Sequence, residues 1–257
     1  MDQDLQIKDK QLRKEISDFK LGIAKDAEIL VNEFFPKKCI ELDKFLKEDV
    51  LQTENVRNIA QKLEIPIPNA VIVQDFNNVD GHVTSPKKRK LDVGPGGDID
   101  GTKVFSFACG PVPCNKNLIA IIDRIKPDIR LLMEKVNTVR MWVTHLIPKI
   151  EDGNNFGVSI QEDTLAELRQ VESEAASFLD QISRYFVTRG KIITKVAKYP
   201  HVEDYRRFVE EIDEKEFLSL RLIVCELRNH YSILHDLILK NIEKIKKPRS
   251  SNIDGMY

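Results

Sequence analysis

The stretch PKIEDGNNFGVSIQEDT, residues 148–164, gathers carboxylates and amides around two glycines. Carboxylates and amides spaced around a glycine are what a calcium loop uses. With Asp152 in the first position, Asn154 falls at the third and Gly157 at the sixth, where such a loop needs its sharp turn. The fifth position is then Phe156, which has no ligand oxygen, and the twelfth is Asp163, one carbon shorter than the bidentate Glu required. The calcium reading, with Asp152, Asn154 and Asp163 as ligands, therefore fails. As a plain connector, Gly153 and Gly157 would supply positive φ, and Asn154 and Asn155 tolerate left-handed backbone. A connector has no need of Phe156, an apolar ring in the middle of a polar segment.

The other reactive side chains are scattered. Cys109 and Cys114, in FACGPVPCN, lack the second Cys or His pair that a zinc site requires, so no metal is expected. Cys39 and Cys225 fall within helical patterns and read as small apolar side chains. No GxSxG, HExxH or phosphate-cradling glycine loop occurs, and His230 and His235 are spaced too far apart to share a helical face. The chain is expected to be no enzyme and to use no cofactor. In PKKRKLD, the four consecutive cations Lys87, Lys88, Arg89 and Lys90 fit a nuclear-import address better than a phosphate-binding patch. The polar C-terminal stretch, closing on Gly255, Met256 and Tyr257, has the form of a docking peptide.

Composition narrows the partners. Lys and Arg number 40 against 41 Asp and Glu, a net charge of -1, which gives no general reason to expect nucleic acid or a membrane. No apolar run is long enough to span a bilayer, and MDQDLQIKDK is too polar for a secretory signal, so an intracellular protein with reduced cysteines is expected.

Long helices must position these residues. A 32% charged and 42% hydrophobic chain with few aromatics suits amphipathic rods. The first carries Leu12, Ile16, Phe19, Ile23, Leu30 and Phe34 up to Pro36, which is expected to end or kink it; the pattern resumes through Leu42 and Leu46, with a short stretch over 56–63. The second is a heptad seam of Leu118, Ile122, Ile125, Ile129, Leu132, Val136, Val139, Val143 and Leu146, a rod of roughly 45 Å at 1.5 Å per residue. The third runs from about Thr164 to Lys198 on Leu168, Val171, Ala175, Phe178 and Ile182. The fourth runs from near Val202 to Pro248 on Tyr205, Val209, Ile212, Leu220, Ile223, Leu227, Leu234 and Ile238. Short joints between long helices predict an all-α fold, an up-down four-helix bundle. Four regions follow: an N-terminal helical region (1–69), a loop too rich in Gly, Pro and Asp to hold a core (70–107), helices two to four (108–248) and a C-terminal tail (249–257).

PKIEDGNNFGVSIQED, together with VESEAASFLDQISRYF, KYPHVEDYRRFVEEIDEKEF, LHDLILKNIEKIKKPRSSN and the N-terminal FFPKKCIELDKFL, resembles the 11S proteasome activators, the REG family, over nearly all of the chain outside the long loop. The KKRK cluster followed by LD makes it most similar to the gamma type. The resemblance implies a ring, a homoheptamer, that opens the gate of the 20S proteasome without ATP and lets peptide substrates through its channel. It makes Ile150, Glu151, Asp152, Gly153, Asn154, Asn155, Phe156, Gly157 and Val158 the activation loop, with Asn154 its most sensitive position. It makes Gly255, Met256 and Tyr257 the docking tail on the proteasome α-subunit ring, and it points Lys191 toward the channel. The alternative is a nuclear helical scaffold that binds proteins through its seams and has no proteasome activity.

Overall fold

The computed structural model describes residues 9–69, 107, 109–149, 153 and 155–249. Long antiparallel helices run side by side, with no strand among the described residues. Helix α1 (Lys10–Ile29) continues through a π turn (Leu30–Phe34) into α2 (Phe35–Leu46). Two 3-10 turns (Asp49–Leu51, Thr53–Asn55) and a single helical turn, α3 (Val56–Ile59), complete the N-terminal part. Then come α4 (Lys116–Leu146), α5 (Phe156–Lys198), α6 (Glu203–Lys240) and the short α7 (Ile242–Lys246). The up-down four-helix bundle is borne out.

The seams close on one core. On α4, Leu118, Ile122, Ile125, Ile129, Leu132, Val136, Val139 and Val143 are all buried. They meet Leu168, Val171, Ala175 and Ile182 of α5, and Leu220, Ile223, Leu227, Leu234 and Ile238 of α6. Each large aliphatic side chain so buried contributes roughly 1.5–3 kcal/mol, which is why the periodic stripe decides the packing. Ion pairs fix which helices face each other: Lys38 with Asp128, Arg228 with Asp43, Arg140 with Glu172 and Lys246 with Glu28.

Several expectations are corrected. Pro36 neither ends nor sharply interrupts its helix: in the π turn before it the Phe35 amide donates to the Leu30 carbonyl, and Pro36 falls in the first turn of α2, where a missing N–H is best tolerated. His235 Nδ1 donates to the Val31 carbonyl inside this turn (2.7 Å), so α6 serves an acceptor there. Leu12 and Phe19, assigned to the first stripe, are exposed, and burial on α1 begins only near Ile23. The stretch over 56–63 is helical only as far as Ile59. Pro127 sits within an unbroken α4; it is exposed, on the side where water can reach the carbonyl that has lost its donor. The third helix begins at Phe156, eight residues earlier than its stripe indicates.

Candidate functional site

The two ends of the bundle are secured differently. At one end α4 starts, α5 finishes and α6 starts. Asn115 caps α4, its Oδ1 accepting from the amides of Asn117 (3.1 Å) and Leu118 (3.2 Å). Its Nδ2 donates to the Ile59 carbonyl and to Asp213 Oδ2, both at 2.8 Å. Asp213, 0% exposed on α6, also accepts at Oδ1 from the Tyr185 hydroxyl and from Arg189 Nε of α5, each at 2.9 Å. Burial, and then the neighbouring carboxylate, push the Tyr185 phenol well up, so it stays a donor. A second apolar cluster of Ile65, Ile193, Val196 and Val209 covers this end, packed by Leu63, Phe107, Val112 and Tyr205.

At the other end α4 finishes, α5 starts and α7 leaves the bundle. Gly153 has φ +80°, the left-handed conformation expected of it. Gly157 is there for a different reason. It is buried in the first turn of α5, and the backbone of Pro248 crosses it so closely that a Cβ would stand 2.6 Å from Pro248 Cα and nearer still to its oxygen. Beside it, Asn155 at the start of α5 makes no side-chain cap to the helix; its Oδ1 accepts from Arg249 Nη2 at 3.2 Å. One turn further on, Gln161, 0% exposed, donates through Nε2 to the carbonyls of Leu146 (3.1 Å) and Ile245 (2.8 Å). Phe156, the first residue of α5, holds its ring 72% exposed.

Of the loop assigned to residues 150–158, the structure therefore makes Phe156, Gly157 and Val158 helical and Gly153 a left-handed turn. Ile150, Glu151, Asp152 and Asn154 lie outside the described residues, as do Gly255, Met256 and Tyr257 of the tail and Lys87, Lys88, Arg89 and Lys90 of the basic cluster. Lys191 is exposed near the far end of α5, about 50 Å along the helix from Gly157 at 1.5 Å per residue. Asp163 is an exposed residue in the body of α5, where regular helix keeps it from folding back over the loop. Cys109 and Cys114 are exposed free thiols, Cys114 beside a mostly apolar groove of about 470 Å³. Cys39 and Cys225 are half-buried. Sequence reading missed Asn115, Gln161, Asp213 and the packing role of Gly157, all of which act through contacts distant in the chain. Polar residues set into otherwise apolar seams were the available signal.

The architecture defines the class first: a bundle of long antiparallel helices carrying a glycine-containing loop and a tail root at one end. Comparison with known proteins then places the chain. The family described as "Proteasome activator PA28, C-terminal" matches residues 111–255, and "Proteasome activator PA28, N-terminal" matches residues 10–70. The chain belongs to the PA28 proteasome activator family. It is 56% identical over 250 residues to the "Proteasome activator complex subunit 3" of Homo sapiens, covering 97% of each chain, and equally to that of Gallus gallus over 250 residues. Among solved structures it is similar to the 11S subunit of the Plasmodium falciparum proteasome, PA28, with 29% identity and a TM-score of 0.74 over 95% of this chain and 98% of that one. It also shares the fold of a chain in an archaebacterial 20S proteasome–PA26 complex, at 12% identity and a TM-score of 0.61 over 94% and 99%. Among the described residues no helix is long and apolar enough to cross a membrane.

Proposed function

We propose that this protein activates the 20S proteasome without ATP or catalysis of its own, docking through its C-terminal tails and opening the gate through the loop at residues 150–158. One observation carries the reading: the root of the tail, at Pro248, packs directly on the base of the loop, at Gly157. Both contact elements thus leave the bundle at the same end, as a cap seated on one surface requires. The relatives named as proteasome activator subunits and the fold shared with a chain from a 20S complex support it.

The protein acts as a homoheptameric ring. The exposed Leu12, Phe19 and Leu21 of α1 and Leu218 and Leu222 of α6 supply apolar surface for neighbouring subunits. Several weak tails on one rigid ring raise avidity by orders of magnitude over a single tail. Asn154 and the exposed ring of Phe156 meet the α-subunit turns, Lys191 faces the channel through which peptides pass, and Lys87, Lys88, Arg89 and Lys90 direct the protein to the nucleus. The test is hydrolysis of small fluorogenic peptides by latent 20S proteasome, with the wild type and with Asn154→Tyr. Stimulation by the first alone is expected; stimulation by neither, with the ring intact, refutes the reading. Lys191→Glu should change which peptides are stimulated, and an unchanged peptide profile removes Lys191 from the channel.

A further inference from the structure

The carbonyls at the end of a helix have no partner within it. Leu146 is the last residue of α4, and Ile245 lies in the last turn of α7. One buried side-chain amide, that of Gln161, serves both carbonyls at once. Its Oε1 is buried and has no partner among the described residues, so within them the side chain is held by its donors. The end of α4, which leads into the loop, and the segment leading into the tail are thus tied to the same point on α5. Gly157 adds a backbone-to-backbone contact with Pro248, and Asn155 holds Arg249. Residues 155, 157 and 161 grip residues 245, 248 and 249 along one edge of the helix that the loop itself feeds.

We infer that Gln161 and Gly157 are positioning residues that lock the base of the loop and the root of the tail into one rigid unit, so that docking of the tail sets the loop on the gate. The inference rests on the proposed activator function and deepens it: docking and opening are one coupled event rather than two independent contacts. The reach of the chain sets the scale. From Pro248 to Gly255 is a span of at most about 25 Å at 3.3–3.6 Å per residue, so a tail anchored in the proteasome holds Gly157 within that distance of its pocket. With the clasp intact, slack in that tether cannot be taken up by hinging at residues 245–249. With the clasp open, the tail can stay bound while the loop lifts.

Gln161→Met keeps the volume and flexibility of the side chain and removes both donors. Gly157→Ala favours the helix locally and drives Pro248 away. Amide hydrogen exchange on the free full-length ring reads the clasp without any proteasome. Both variants should speed exchange at least tenfold in residues 242–249 and also in residues 156–160, with the middle of α4 unchanged. Acceleration on only one side, or on neither, overturns the coupling. The second arm titrates wild type and Gln161→Met against latent 20S proteasome. The half-saturating concentration should stay within threefold of the wild type, while maximal stimulation falls at least fivefold. Full stimulation once saturated overturns the coupling, because the substitution then acts on docking alone. Absence of stimulation by the wild type overturns the activator reading itself.

Discussion

Removing the carboxylate of Asp213 should be among the most damaging single changes in the bundle. Arg189 is 4% exposed, and in Asp213→Ala its guanidinium would keep, among the described residues, the Pro113 carbonyl at 3.4 Å as acceptor. Breaking a buried ion pair by removing one partner costs about 3–5 kcal/mol. The Tyr185 hydroxyl loses its acceptor, and an orphaned buried donor costs about 1–3 kcal/mol. Asn115 keeps the Ile59 carbonyl and contributes little. These costs are not additive, since the loosened site admits water, so a net loss of about 4 kcal/mol is expected. A folded domain has only about 5–15 kcal/mol in all.

The measurement is urea denaturation at one fixed protein concentration, because assembly makes apparent stability depend on concentration. The double variant Asp213→Leu with Arg189→Met removes both charges and should lie within about 2 kcal/mol of the wild type, as replacing a buried pair by apolar groups is often close to neutral. The network lies about 48 Å along α5 from Gly157, so the surviving folded protein should keep its stimulation of peptide hydrolysis. A loss below about 1 kcal/mol for Asp213→Ala, or a double variant worse than the single, would refute the argument that Arg189 depends on this one counter-ion.

Two other substitutions test buried charge elsewhere. Glu216 is 6% exposed, and burial pushes its carboxyl up to about 7 against the opposing pull of Lys215. Its unfolded value is 4.5, so the folded state holds the proton more tightly; the stability it contributes is full below that value and is lost as pH rises through about 7. Glu216→Gln should therefore gain on the wild type between pH 5 and pH 8, by up to about 3 kcal/mol at 1.36 kcal/mol per unit; a melting-temperature difference that does not change with pH excludes this. For Lys38, burial lowers the pKa, but hydrogen bonds to Asp128 and Glu41, both at 2.7 Å, outweigh it and hold the ammonium above its usual value. Its stabilising charge is present below pH 10.5 and is lost as pH rises beyond the raised folded value. Lys38→Met should cost about 1–3 kcal/mol at pH 7, chiefly by leaving the half-buried Asp128 without its cation; a cost under about 0.5 kcal/mol in urea denaturation shows the pair to be superficial.

The helices were legible because burial repeats with the helical period, and Leu118 to Val143 is read from spacing alone. Their starts were not. Phe156 opens α5 ahead of its apolar stripe: over the first two turns the buried residues are Gly157 and Gln161, with Ile160 only partly buried against the core. Gly157 illustrates the limit best. A glycine beside asparagines in a loop signals positive φ locally, and Gly153 obeys, whereas Gly157 is glycine because of Pro248, 91 residues further along the chain. Leu12 and Phe19 fail in the opposite direction: they keep the helical spacing of a buried stripe, yet both are exposed in the chain.

The two ends are held by different chemistry. The end built around Asp213 closes on itself, and a charged network there fixes one arrangement at the cost of desolvating an arginine and a carboxylate. The end carrying the loop and the tail root is held at its buried point by a neutral amide on two carbonyls, with a glycine in backbone contact beside it. Neutral hydrogen bonds are only weakly affected by salt and do not titrate near neutral pH, whereas exposed charge pairs weaken as ionic strength rises. The geometry of this end should therefore hold across those conditions. The exposed Lys246–Glu28 pair is the salt-sensitive tie described at this end, and such surface pairs contribute little, so hydrogen exchange at residues 242–249 should change only slightly between low and high salt.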